Sequence, residues 1–367
     1  MEIKTYKIKD ICEASHGREI NTKYLRENQG IYPVYSSATS NEGEMGRIKT
    51  YDFDGEYVTW TTRWSYAGSI YYRNGKFSAS SNCGILKVLN KEINPKFLAY
   101  ALKKEAKKFV NTTSAIPILR TQKVVEIPID FPPLQIQEKI ATILDTFTEL
   151  SAELSAELRE RKKQYAFYCD YLLNPKNWKE ENKYYKLGEI AQKVLVGGEK
   201  PADFSKEKNE VYKYPILSNN SKAEEFLVYS KTFRVEEKSI TVSARGTIGA
   251  VFYRDFAYLP AVSLICFVPK EEFDIRFLFH ALRAIKFKKQ GSATGQLTVA
   301  QFKEYGIHVP SLKKQKEIAA ILDPLYSFFT DLNEGIPAEI ELCKKQLDYY
   351  QNFLFNWVQN QKAASIL

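Results

Sequence analysis

The sequence predicts an α+β fold: two β-rich blocks joined by two long helices packed as an antiparallel coiled coil, with an internal pseudo-two-fold repeat. Three observations predict it. The stretch from Pro132 to Asn174 reads as one long amphipathic helix, and a second version of it runs from Pro310 to Asn356. In front of each copy lies a similar succession of short β-runs, turns and one Lys-rich helix.

In chain order, Tyr6 to Cys12 is a short amphipathic opening. Residues 31–37 (IYPVYSS) form a Pro-marked strand, and 57–60 (YVTW) a β-branched and aromatic one. Residues 68–73 and 77–80 meet as a hairpin across Asn74-Gly75, the residue pair favoured in two-residue turns. Asn82 to Leu89 is a further strand. Pro95 to Val110 is a helix, with Leu98, Ala101 and Leu102 on its apolar face and Lys103, Lys104, Lys107 and Lys108 elsewhere. A polar loop and a strand-like VVEIPI lead to Pro132, and residues 174–182 have linker character.

The second block answers the first. Tyr6-Lys-Ile-Lys-Asp-Ile is matched by Tyr185-Lys-Leu-Gly-Glu-Ile, Tyr32-Pro33 by Tyr214-Pro215, and GSIYYR from Gly68 by GAVFYR from Gly249. FLAYAL from Phe97 is matched by FLFHAL from Phe277, and QEKIATILD from Gln137 by QKEIAAILD from Gln315. The offset drifts only between about 178 and 182 residues, so the landmarks keep their order. The frames match while the loops differ, WTTRWSYA against VSARGTI. That suggests similar partners read with different fine specificity, with neutral drift of surface loops as the alternative. The expected divisions are 1–131, a helix over 132–178, 179–309, a helix over 310–361, and a tail at 362–367.

In the first long helix Ile140, Leu144, Phe147, Leu154, Leu158, Tyr165, Tyr168 and Leu172 recur at mostly three- and four-residue steps, with Ser151 and Arg161 interrupting. Over about forty residues this is roughly 60 Å of helix, or about 17 base pairs of B-DNA. A small β domain cannot cover such a stripe, so the two helices are expected to pack on each other; an inter-chain coiled coil in a homodimer is the alternative. Gly335-Ile336-Pro337 should bend or interrupt the second helix, and Pro324 could add a smaller kink. Both helix ends are crowded with aromatics: Tyr165, Phe167, Tyr168 and Tyr171, then Tyr349, Tyr350, Phe353, Phe355 and Trp357. They either dock another subunit or cap the coiled coil against the neighbouring block.

A net charge of +9 over 367 residues attracts polyanions. Five scattered cysteines without CxxC, and three histidines far apart, argue against a zinc site or a disulfide framework. A charged start and no run of membrane-span length make a reducing, cytoplasmic setting the default. There is no GxxxxGK[ST], GxSxG, HExxH or GxGxxG after a strand. GSATGQLT from Gly291 is phosphate-loop-like only in its glycines. Asp130-Phe-Pro-Pro-Leu is a superficial echo of the amino-methyltransferase motif, spoiled by Phe131 between acid and prolines and by Leu134 at its aromatic position.

Reading of base edges suits the loops better, since Arg and Lys pair with guanine, Asn and Gln with adenine, and Ser/Thr hydroxyls with bases or phosphates. The candidates are Thr61, Thr62, Arg63, Trp64, Arg73, Lys76, Thr113, Ser114 and Arg120 in the first block. In the second they are Asn219, Asn220, Lys222, Ser243, Arg245, Arg254, Ser292, Thr294 and Gln296. Arg73 and Arg254 follow their strands at equivalent places, where a shared phosphate or structural role fits better than base choice.

PPLQIQEKIATILD and PSLKKQKEIAAILD, followed by KKQYAFYCDYLLN and KKQLDYYQNFLFN, carry a resemblance to the specificity subunit of type I restriction-modification systems. It spans nearly the whole chain. It implies that each block is a target-recognition domain reading one half of a split site in double-stranded DNA, with the helices fixing the unread spacer. It also implies two docked modification subunits that flip out and methylate adenine with S-adenosylmethionine. That cofactor would belong to those subunits, with none in this chain, and a restriction subunit would be an optional further partner. This sequence departs from the pattern at Lys316, where the first copy has Glu138, and at Gly335-Ile336-Pro337. The competing readings are a self-sufficient nucleic-acid-modifying enzyme and a coiled-coil scaffold with β-rich interaction domains.

Overall fold

The computed structural model describes residues 2–37, 40–113, 115–218, 228–288, 295–331 and 335–366. They fall into two compact units, Met1–Glu153 with Ile340–Leu367, and Leu154–Glu339. The first unit holds β1 (Lys4–Lys7), α1 (Ile8–Ile11), β2 (Cys12–His16), α2 (Thr22–Glu27), β3 (Gln29–Tyr35), β4 (Glu44–Ile48) and β5 (Glu56–Thr61). It continues with β6 (Ile70–Asn74), β7 (Ser78–Ala79), β8 (Cys83–Val88), α3 (Pro95–Glu105), α4 (Thr121–Val124) and β9 (Pro128–Phe131). The 39-residue helix α5 (Leu134–Leu172) begins in this unit and ends in the second.

The second unit holds β10 (Lys183–Lys186), α6 (Leu187–Ile190), β11 (Ala191–Val196), β12 (Tyr214–Leu217), β13 (Tyr229–Ser230), β14 (Ser239–Ser243) and β15 (Val251–Arg254). It continues with β16 (Leu259–Pro260), β17 (Leu264–Pro269), α7 (Ile275–Ala284), α8 (Val299–Glu304), β18 (Gly306–Val309) and α9 (Leu312–Thr330). The last helix, α10 (Ile336–Ile366), belongs to the first unit from Ile340 onward.

The duplication reaches the topology of every sheet. A four-stranded sheet has order β2-β8-β5-β6 in one unit and β11-β17-β14-β15 in the other, and a three-stranded sheet is β4-β3-β7 against β13-β12-β16. A two-stranded pair, β1-β9 or β10-β18, precedes the long helix in each. Local signals explain the helix starts. Asn94 accepts from the Phe97 amide at 3.0 Å with Pro95 in the first turn, and Asp274 accepts from the Phe277 amide at 2.8 Å.

The hairpin expected across Asn74-Gly75 does not form. β6 pairs antiparallel with β5 instead, and β7 crosses to lie parallel to β3. Gly75 carries the β5–β6 pairing onward through mutual hydrogen bonds with Gly55, so its positive φ of 95° serves a continuing ladder rather than a two-residue turn. Burial of β5 on both faces made it the better partner for β6.

Each unit buries its share of helix against an antiparallel partner. In the first, Lys362 near the end of α10 pairs with Asp130, just ahead of α5, at 2.7 Å. Further along, the Phe147 and Tyr350 rings stack at 5.1 Å and the Cys343 thiol donates to the Phe147 carbonyl. In the second, Tyr165 of α5 packs on Tyr326 and Phe329 of α9, and Glu180 accepts from the Ser311 amide at 2.8 Å. The two long helices of the sequence thus pair antiparallel as expected. The second is two helices, however: α9 ends at Thr330 and α10 begins at Ile336. A Cβ on Gly335 would lie 2.7 Å from the Asp331 carbonyl oxygen, and Pro337 occupies the first turn of α10, where its missing amide costs nothing. α9 runs unbroken through Pro324, and α10 extends through the expected tail to Ile366.

Two polar devices fasten helix to domain, each made twice. Gln137 accepts from the Asn94 amide at 2.9 Å and donates to the Glu92 and Pro132 carbonyls. Gln315 accepts from the Asp274 amide and donates to the Pro310 carbonyl. Both side chains are buried. One turn beyond each Ile-Ala pair stands an Asp. Asp145 takes Lys96 at 2.6 Å and the Tyr100 hydroxyl at 2.8 Å; Asp323 takes Arg276 at 2.6 Å and His280 Nε2 at 2.7 Å. The Tyr165 hydroxyl reaches His280 Nδ1 at 2.8 Å. Burial lowers the His280 pKa below 6.5 despite the Asp323 contact, so the ring is neutral, with Nε2–H donating to Asp323 and Nδ1 accepting from Tyr165.

Gln137→Ala would leave a buried amide and two carbonyls without partners. The expected loss is about 2–3 kcal/mol of first-unit stability, measured by denaturant unfolding of the full chain. His280 gives a pH signature. Unfolded, the ring takes a proton near pH 6.5, and folded it resists, so second-unit stability should fall as pH drops below about 6.5. The slope of unfolding midpoint against pH should shrink in His280→Gln, and equal slopes for the two proteins would exclude the contribution.

Candidate nucleic-acid interface

In the first unit the candidate surface forms where the β5–β6 connection meets the chain between α3 and α4. The connection closes with Thr61 N–H donating to Ser69 O at 2.9 Å and Gly68 N–H to Thr61 O at 2.8 Å, Gly68 taking a φ of 82°. Leu119 N–H donates to Thr62 O at 2.8 Å and Trp64 N–H to Pro117 O at 3.0 Å, tying the two loops edge to edge. The indole of Trp60 donates to Leu119 O at 3.2 Å from beneath. Gly84 gives that indole its place, since a Cβ there would lie 2.2 Å from the ring. Asn111 Oδ1 accepts from the Thr113 amide and hydroxyl, shaping the turn of the second loop.

The second unit repeats the geometry. Gly249 N–H donates to Ser243 O at 2.9 Å with a φ of 83°, and Leu297 N–H donates to Ala244 O at 2.9 Å. Arg245, the counterpart of Arg63, donates through Nε to Gln296 Oε1 at 2.7 Å.

Of the candidate residues, Arg63, Trp64, Thr113 and Arg120 share the exposed face of the first loop pair, and Arg245 and Gln296 share that of the second. Thr61, Thr62 and Ser243 do not belong to it. They are buried: β5 and β14 are covered on both faces up to their last residues, and Thr62 follows β5 directly. Arg73 and Arg254 are buried too. Arg73 lies 3.6 Å over the Tyr35 ring, reaches Thr59 Oγ1 at 3.4 Å and bonds the Glu42 carbonyl. Arg254 reaches the equivalent Thr241 Oγ1 at 3.3 Å, so the pair is a duplicated structural strut rather than a phosphate contact. Lys76 is exposed over Tyr51, but beyond the far end of β6 from Trp64. Ser114, Asn219, Asn220, Lys222, Ser292 and Thr294 lie outside the described residues.

Tyr66, Lys107, Asn111 and Ile116 also surface at the first loop pair and were missed in the sequence. Their signal was the lack of any Asp or Glu from Tyr57 to Arg73 and from Ala106 to Val125.

The helix aromatics split as well. Tyr165 and Phe355 are buried, Tyr165 against His280 and Phe355 5.2 Å from the Phe97 ring, so they seal helix to domain. Tyr168 is half-buried. Phe167, Tyr171, Tyr349, Tyr350, Phe353 and Trp357 are exposed. Phe167 and Tyr171 lie parallel at 6.4 Å, and Tyr349 and Phe353 at 6.2 Å, at equivalent places in the two repeats. Ile143 and Leu150 on α5, and their counterparts Ile321 and Phe328 on α9, are exposed as well. Among the described residues no group of three His, Cys, Asp or Glu could hold a metal ion, and no helix is long and apolar enough to cross a membrane.

A duplicated β-rich recognition frame, strapped to antiparallel helices and presenting basic, variable loops, defines a class of bipartite DNA-reading proteins. The family described as type I restriction modification DNA specificity domain matches residues 1–161 and again 179–342, and the chain belongs to it. A type I specificity subunit of Mycoplasma pneumoniae is 96% identical over 335 residues, 88% of this chain and 100% of that one. A second from the same organism is 66% identical over 364 residues, 99% of this chain and 100% of its own. Among solved structures, the type I S subunit from M. genitalium has the same fold at 17% identity, with a TM-score of 0.66 over 97% of this chain and 96% of that one. A chain of another type I system has a TM-score of 0.57 at 13% identity, covering 96% of this chain and 97% of its own.

Proposed function

We propose that each loop pair reads one half of a bipartite duplex target, Arg63 and Arg120 in the first unit and Arg245 with Gln296 in the second. One observation carries this reading: the same backbone hydrogen bond, Leu119 to Thr62 and Leu297 to Ala244, presents different side chains in the two units. A conserved mount with altered contents is what two half-sites of different sequence require. Arg245 held by Gln296 is fixed as a planar donor suited to the O6 and N7 edge of guanine. The stacked aromatic pairs, Phe167 with Tyr171 and Tyr349 with Phe353, are the proposed seats of two modification subunits, one per repeat. Those subunits would bring S-adenosylmethionine and the chemistry, in the cytoplasm, with a restriction subunit as a further partner. The helices following each domain would fix the length of the unread spacer.

Arg63→Ala and Arg245→Ala test the assignment. In complex with the modification subunits, each variant should lose about 1–3 kcal/mol of discrimination at one base pair, measured by competition binding to singly substituted duplexes. The two affected positions should lie in different half-sites. Uniform weakening across all sequences would reduce both arginines to phosphate contacts, and loss at the same half-site would break the one-unit, one-half-site assignment.

A further inference from the structure

We infer that Trp64 and Tyr66 form an aromatic wedge that enters a base step of the duplex at the first half-site, a contact the matching loop of the second unit does not make. The inference rests on the DNA-reading role proposed above. Trp64 is 50% exposed and Tyr66 51%, two large rings standing at the tip of one loop. Their mount is rigid. Trp64 is held at a φ of 75°, a conformation that side-chain-bearing residues rarely adopt, by its own N–H to Pro117 O and by Ala67 N–H to its carbonyl, each at 3.0 Å. Behind it Gly68 packs so closely that a Cβ would lie 2.8 Å from Val110 Cγ2.

The surroundings select the occupant. No Asp or Glu occurs from Tyr57 to Arg73 or from Ala106 to Val125, while Arg63, Lys107 and Arg120 in these two stretches are exposed. An apolar tip on loops that carry Arg and Lys and no Asp or Glu of their own fits a polyanion that also offers flat apolar faces, which is the base stack of duplex DNA. An indole is larger than contact with a thymine methyl needs, and its size suits a separated step. In the second unit the loop from Arg245 to Gly249 is one residue shorter than that from Arg63 to Gly68, and Gly246 stands where Trp64 does. The wedge is therefore a property of one half-site.

A wedge must separate stacked bases, so a duplex already opened at the right step should bind more tightly. The test uses the full chain assembled with its modification subunits, and duplexes carrying the motif read from methylated adenines in the host genome. A single abasic site or mismatch is walked through each half-site and the two flanking pairs. For the wild type, one position in the first half-site should raise affinity by about fivefold or more, with none in the second. Trp64→Ala should abolish that gain and weaken binding to the intact duplex by about tenfold, while Trp64→Phe keeps most of both. 2-Aminopurine at that step should brighten on binding wild type but not Trp64→Ala. Motif-selective binding that is indifferent to every disrupted step would overturn the wedge alone. So would a Trp64→Ala loss that replacing one thymine by deoxyuridine reproduces in full. Binding no better to the motif than to a scrambled duplex would overturn both the wedge and the reading beneath it.

Discussion

Covering the apolar stripe of α5 is the constraint on which the rest depends. Each large aliphatic side chain taken out of water contributes about 1.5–3 kcal/mol, so a stripe of 39 residues cannot be left half bare. No single β-rich unit is large enough to cover it. The chain solves this by division: the first part of α5 is covered by α3 and α10, the rest by α7 and α9. The first unit is therefore complete only when the last helix of the chain returns to it, whereas the second is one continuous segment, Leu154–Glu339. The interruption at Gly335-Ile336-Pro337 falls close to the point where the chain passes from one unit to the other.

The polar fastenings serve register rather than bulk stability. An apolar stripe tolerates sliding along its partner. A buried Gln that must meet one amide and particular carbonyls does not, because a shift of one residue leaves all of them unpaired. Asp145 and Asp323 repeat the device, with Lys96 and Tyr100 in one copy replaced by Arg276 and His280 in the other. The frame that holds the loops has kept its geometry through such exchanges. The loops have kept only their backbone ties, which leaves their side chains free to differ.

The repeat, the long helices and the acceptance of Gly335-Ile336-Pro337 as a break were all legible in the sequence, because periodicity and proline geometry are local. The candidate interface was legible in part. Loop membership could be read for Arg63, Trp64, Arg120, Arg245 and Gln296. Side-chain burial could not: Thr61, Thr62 and Ser243 sit beside them in sequence but are covered, because β5 and β14 are packed on both faces up to their ends. Their matched places leave Arg73 and Arg254 a phosphate or a structural role, and only the rings and the threonine that enclose them, which nothing local announces, decide for the second. Asn74-Gly75 misled for a related reason: turn chemistry names what the backbone can do, while the partner of β6 was decided by a strand earlier in the chain.

By itself, then, the sequence determined the duplication, the helical stripe and the basic, acid-poor character of the loops, since composition and period are carried by neighbours in the chain. Only the tertiary structure decided which aromatics face water. Tyr165 and Phe167 stand two residues apart, yet one is locked against His280 and the other is bare. It also decided that Trp64 is half exposed on a strained, doubly tied backbone while Trp60, four residues earlier, lies over Gly84 in the core. Burial depends on what packs from elsewhere in the chain, and no local pattern carries that information.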